Sequence, residues 1–238
     1  MLIAASNPRA LWYLTRGFGL MTLLLLTASM VIGMTQIVRL SSQGAPRFVV
    51  AGLHKNISLL AVVLLAVHIA TALADPYAPI GIVDTFVPFV GKYRPIWLGL
   101  GAVATDVLIA LAVSSLIRQR VGYTTWRAIH WAAYACWPIA IVHGLGTGSD
   151  ARVGWAQLLY LACVAIVLGA LAWRLATRWS PASTGRRLTA AAAALALTAA
   201  VAVWAAQGPF RSGWARRAGT PPSLLSGKSP VPSAPSHR

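Results

Sequence analysis

Apolar residues in this chain fall in long uninterrupted blocks, not in the alternating or three-to-four-residue rhythm of a soluble domain. Six blocks stand out, at about 11–37, 48–73, 95–117, 124–145, 153–175 and 188–206. At about 1.5 Å of rise per helical residue, each is long enough to cross a hydrocarbon core of about 30 Å. The pattern predicts an all-α integral membrane bundle of about six transmembrane helices, formed by residues 1–206 with its core at 48–146. The first block outruns the apolar stretch of a signal peptide and has no clear small-residue cleavage site, so it reads as a span. The sixth, rich in alanine, is the least apolar. The one long connection, residues 75–94, holds the Pro, Gly and aromatic residues that suit a segment at the membrane interface, and it is the candidate docking loop for a partner. Residues 207–238 read as a basic, Pro- and Ser-rich tail, expected to be disordered.

Composition narrows the function. A chain that is 58% hydrophobic and 10% charged is neither disordered nor an ordinary soluble domain. Its net charge of +16 invites a nucleic-acid reading, but the Lys and Arg residues punctuate the ends of the apolar blocks, where they flank spans and meet lipid headgroups. The expected partners therefore include membrane lipid and exclude nucleic acid. The loops after the first, third and fifth spans carry ten basic residues: Arg39, Arg47, Lys55, Arg118, Arg120, Arg127, Arg174, Arg178, Arg186 and Arg187. The other face has five (Arg9, Arg16, Lys92, Arg94 and Arg152), with three of the four acids. The positive-inside rule puts the ten-charge face in the cytoplasm and the N-terminus outside, in a bacterial plasma membrane. The tail charges Arg211, Arg216, Arg217, Lys228 and Arg238 pull the other way. Cys136 and Cys163 lie inside apolar blocks with no Cys-x-x-Cys pair, which points to packing and away from iron–sulfur or zinc chemistry.

The chemistry lies in histidine. His54 and His68 share the second span, and His130 and His143 the fourth; His237, in the tail, is expected to be inert. Imidazole is rare in membrane helices and usually faces a bundle interior or a cofactor. His54 and His68 are 14 positions apart, a rise of about 21 Å that returns to nearly the same helix face. His130 and His143 are 13 apart, a similar rise. The two spans run in the same direction, so His54 is level with His130 and His68 with His143. Two facing pairs at two depths are what two b-type haems with bis-histidine ligation require. Thirteen ideal steps leave His143 about 140° from His130 in azimuth, and a kink or an altered turn at Pro138 is the expected remedy.

The segment from Gly52 to Gly146 resembles the ferric-reductase-like transmembrane domain, shared by ferric reductases, NADPH oxidases and the haem-binding membrane subunit of a bacterial methionine sulfoxide reductase system. The text LHKNISLLAVVLLAVH, the His-x13-His and His-x12-His spacings and the R-x-x-H entry to the fourth span carry the likeness. The resemblance implies two b-type haems, one held by His54 and His130 near the cytoplasm, the other by His68 and His143 near the outside. It also implies an oxidoreductase electron-transfer subunit. No Gly-x-Gly-x-x-Gly follows a strand here, so a flavin and nicotinamide domain is not expected within these residues. Electrons would then come from a separate donor, a flavoprotein or quinone, and leave to a separate acceptor. The alternative is a haem-free multi-span transporter or membrane anchor; a transporter would need more charges inside the spans than Asp106 and Arg16.

Several other residues are candidates for supporting roles. Arg127, one turn before His130, is a candidate haem-propionate partner, as are Arg47 and Lys55 on its side and Lys92 and Arg94 on the other; interfacial anchoring is the equal alternative for each. Asp106 reads as a proton relay or as a structural partner, for instance of Arg16. Trp97 and Trp126 read as belt residues, and Trp131 and Trp137 as core or haem packing. Gly99, Gly101, Gly144 and Gly146 are placed to allow close approach of helices or porphyrin.

Overall fold

The computed structural model of the chain describes residues 10–37, 46–177 and 184–225. The charges Arg9, Arg39, Arg178, Lys228 and Arg238, the side chain of Arg47, His237 and the tail from residue 226 lie outside the described residues. Among the described residues five helices are long and apolar enough to cross a membrane. They are α1 (Ala10–Ile37), α2 (Arg47–Ala74), α4 (Pro95–Leu116), α8 (Gly154–Thr177) and α9 (Thr184–Gln207). Between α2 and α4 the long connection carries one short helix, α3 (Ile82–Phe86). A four-residue turn of helix, α5 (Arg118–Val121), follows α4.

The block at 124–145 is not one helix. It divides into α6 (Tyr123–His130) and α7 (Ala133–Thr147) at Trp131–Ala132. Around this break the amides of Trp131, Ala132, Tyr134 and Ala135 bond to the carbonyls of Ala128, Ile129, Trp131 and Ala132, three residues back. Such tightened steps turn about 120° instead of 100°, so a few of them recover most of the azimuth that thirteen ideal steps leave open. The expected kink at Pro138 is therefore replaced by a break six residues earlier, and α7 runs unbroken through the proline. The N–H that Pro138 lacks would have met the Tyr134 carbonyl, at the edge of the tightened stretch, so the adjustment lies N-terminal to the proline.

Two antiparallel pairs organise the bundle: α1 packs most extensively against α2, and α4 against α7. α8 closes the bundle against α1, and α9 leans on α8. A core of Leu23, Ile141, Leu145, Cys163 and Ala205 joins α1, α7, α8 and α9. Large apolar side chains, among them Leu60, Val63, Leu158, Leu161 and Leu195, point outward, as they must in a bundle solvated by acyl chains. Small polar residues face inward. Buried Thr22, Thr27 and Ser114 give their hydroxyls to backbone carbonyls at Phe18, Leu23 and Leu111, so these three donors are satisfied within their own helices.

Residues 208–225 depart from the expected disordered tail. They fold back over the bundle end where α1 begins, through α10 (Trp214–Arg217) and α11 (Pro222–Leu225). Pro209, Ala218 and Thr220 are buried there. The aromatic side chain of Trp214 supplies the apolar contact that a Pro- and Ser-rich composition alone does not suggest.

Candidate haem-binding site

Three of the four span histidines are held by one repeated device. His68 donates Nδ1–H to the carbonyl of Thr15, 2.7 Å away. His54 does the same to Ser29, at 3.0 Å, and His143 to Trp97, at 2.8 Å. In each case the residue four positions past the acceptor is glycine: Gly19, Gly33 and Gly101. A Cβ at Gly19 would lie 2.9 Å from His68 Cε1, one at Gly33 3.3 Å from His54 Cε1, and one at Gly101 2.4 Å from His143 Cε1. The physics is local. In a helix the carbonyl of residue i already accepts the amide of residue i+4 and spares only its second lone pair. A ring reaching that lone pair must lie over residue i+4, where any side chain obstructs it.

The consequence is chemical. A donor bond at Nδ1 fixes the tautomer, leaving Nε2 with its lone pair free to ligate. No described residue hydrogen-bonds Nε2 in any of the four rings. His130 differs: its Nδ1 is buried without a partner. It is held by stacking on Trp126, with ring centres 5.0 Å apart, and Trp126 is anchored in turn to Ser115 at 3.2 Å.

His54 and His130 come together as expected, with ring centres 6.2 Å apart and planes at 75°. His68 and His143 both line one cavity of about 670 Å3. Its inner walls are Leu65, Leu108, Cys136 and Ala140; Arg16, Asp75, Tyr77, Tyr93 and Arg94 surround its mouth. Burial pushes the Tyr93 phenol above its ordinary range, against the pull of neighbouring Arg94, so it stays a neutral hydroxyl at that mouth. Among the described residues no three His, Cys, Asp or Glu side chains gather to hold a metal ion.

A family model described as ferric reductase like transmembrane component matches residues 18–141, just over half of the chain. The chain belongs to that family. The matched segment of this ferric reductase like component holds His54, His68 and His130 and stops two residues short of His143. It also takes in residues 18–37 of α1, which the resemblance drawn from the histidine segment alone left as a flanking span. No curated protein and no solved structure matches the chain.

The other candidates sort as follows. Arg127 is exposed, a turn from His130 on α6; Lys55 is also exposed. Arg94 is no interfacial anchor: at 5% exposure it donates to the carbonyls of Gly146 and Thr147 and to the Thr220 hydroxyl. Arg16 pairs with Asp150 and Ser149, not with Asp106, and stacks on Trp12. Asp106 is half-buried and not on the cavity wall. Trp126 and Trp97 are packing residues, not belt residues; Trp137 bonds Thr27 beside the core, and Trp131 is 55% exposed. The four flagged glycines do admit close approach, of Phe89 at Gly99, His143 at Gly101, the Tyr160 hydroxyl at Gly144 and Trp97 at Gly146.

Sequence reasoning missed Gly19 and Gly33, although the signal was there. They stand 14 positions apart on α1, as do their acceptors Thr15 and Ser29, and as do His54 and His68 on the antiparallel neighbour. Matching intervals on paired helices mark matching depths.

Proposed function

We propose that this chain is a membrane cytochrome of b type that passes electrons across the bilayer through two haems, one held by His54 and His130, the other by His68 and His143. Membership of the ferric reductase like family supports the coarser reading, a membrane electron-transfer module. The facing imidazoles of His54 and His130 carry the finer one. Two nitrogen–metal bonds of about 2 Å each, with half a ring on either side, span about 6 Å, and the observed separation of ring centres is 6.2 Å. The donor set fits as well: Nε2 is unclaimed on every ring, and the glycines clear space behind three of them. A cavity of about 670 Å3 with apolar walls and a polar mouth suits a flat apolar macrocycle with two carboxylates.

When bound, a haem supplies a one-electron iron couple whose potential depends on its axial ligands and on burial. The protein does the rest. Thr15, Ser29 and Trp97 fix ring orientation and increase the basicity of the ligating nitrogen. Leu65, Leu108 and Ala140 exclude water. Arg127 on one side, and Arg16 with Tyr93 on the other, would pair with the carboxylates of a bound haem. The two depths, about 21 Å apart, make a relay from one membrane face to the other. A separate flavoprotein or quinone donor and a separate acceptor complete the system, in a bacterial plasma membrane with the N-terminus outside.

The test is a reduced-minus-oxidised visible spectrum of the purified protein with a quantified haem-to-protein ratio. A ratio near two with low-spin b-type bands is expected. A colourless protein would return the chain to the transporter or anchor reading.

A further inference from the structure

Residues 208–225 touch neither histidine pair, yet they grip the elements that aim one of them. Trp214 packs against Trp97, ring centres 5.3 Å apart, and Trp204 at the end of α9 packs on the same ring at 4.8 Å. Trp214 Nε1–H donates to the Gly146 carbonyl at 3.0 Å. Arg94, next to the proline that starts α4, donates its backbone amide to the Gly219 carbonyl at 3.1 Å and its Nε–H to Thr220 at 2.9 Å. Its Nη1 reaches the carbonyls of Gly146 and Thr147 at the end of α7. The junction is specifically shaped: Arg94 is held at φ 44° and Gly219 at φ 87°, in the left-handed region that residues with a side chain seldom enter. Gly146 admits the Trp97 ring where a Cβ would lie 2.6 Å from it.

Trp97 is also the residue whose carbonyl holds His143, and His143 lies three residues before Gly146. We propose that the segment 208–225 is a strap that sets the aim of the His143 ring, by clamping the start of α4 to the end of α7. Trp214, Thr220 and Arg94 are its positioning residues. Among the described residues no such segment spans the His54–His130 end. The role as ligand aim rests on the haem reading above; the clamp itself does not.

The experiment compares the full chain with a chain cut after Gln207 and with the point variants Trp214→Phe and Thr220→Val. Trp214→Phe keeps an aromatic ring and loses the N–H. Hydrogen exchange is read by mass spectrometry over 97–101, 144–147 and, as internal control, 54–60; low-spin EPR and haem ratio are read on the same samples. The cut chain is expected to exchange at least about tenfold faster in the first two segments with 54–60 unchanged. One of its two low-spin signals should shift or vanish, and Trp214→Phe should reproduce a smaller shift of that same signal. Unchanged exchange at 97–101 and 144–147 overturns the strap, whether or not haem is present. Faster exchange with both EPR signals unmoved overturns its role in aiming His143. If the cut chain opens throughout, including 54–60, the point variants decide by the same local criterion. A full chain without haem overturns the cytochrome reading alone, because the exchange comparison still decides the clamp.

Discussion

Gly101 lies directly behind the His143 ring, so close that a single added methyl carbon would stand 2.4 Å from Cε1 and 2.5 Å from Nδ1. Neither side yields easily, since the ring is tied to the Trp97 carbonyl and the glycine sits inside α4. Gly101→Ala is therefore expected to push His143 off its acceptor and lower the haem-to-protein ratio from about two to about one. Gly19→Ala, at 2.9 Å from His68, should act on the same haem less severely. Gly33→Ala, at 3.3 Å from His54, should retain both. Haem quantification across the three variants checks the order.

If each pair shares one metal, losses within a pair do not add. His68→Ala and His143→Ala should each remove one haem, and the double variant should remove no more than either alone. Combining His68→Ala with His130→Ala should remove both. This is a double-mutant cycle read in haem content, and additive loss within a pair would contradict the pairing.

Among the described residues the one ion pair joins Arg16 in α1 to Asp150 in the short turn before α8. Both side chains are largely shielded, at 16% and 23% exposure. Asp150→Asn would strand the guanidinium at the cavity mouth. The expected cost is about 1–3 kcal/mol, less than the 3–5 kcal/mol of a fully buried pair because some water reaches both partners. A lower thermal midpoint in detergent, with haem content preserved before melting, is the check.

Asp106 gives the opposite expectation. Its carboxyl is half-buried in α4, stands off the cavity wall, and has no ion pair or hydrogen bond with a described residue. Asp106→Asn should leave both haems and the thermal midpoint nearly unchanged. Loss of haem in that variant would mean that the carboxylate reaches a ligand or propionate after all.

The part of this site visible in the sequence was the part encoded in residue identity. Histidine in a membrane span is conspicuous, and its spacing converts directly to depth. What stayed hidden was encoded in backbone. The acceptors for His54, His68 and His143 are carbonyls, which every residue has, and nothing in the letters Thr15, Ser29 or Trp97 announces that role. The break at Trp131–Ala132 was misassigned to Pro138, because a proline is the visible helix disruptor while a few tightened steps leave no mark in the sequence. Arg16 was offered Asp106 as a partner because both lie in apolar blocks. Its true partner, Asp150, follows α7 in the chain and is brought close only by bundle topology. The six-span expectation erred once, in making one helix of α6 and α7.

The carbonyl-and-glycine device divides mutational tolerance between adjacent turns of the same helix. Positions 15 and 97 contribute to their histidines only a group that all amino acids share, and position 29 adds its hydroxyl, 3.3 Å from His54 Nδ1, whereas positions 19, 33 and 101 contribute the lack of a side chain. For ligand holding alone, positions 15 and 97 are free to drift, positions 19 and 101 are confined to one letter, and position 33 tolerates one added carbon. Anyone grafting this site into a designed helical bundle could therefore copy very little: a histidine on one helix, and on its antiparallel neighbour a bare position one turn beyond the point where the ring is to be caught.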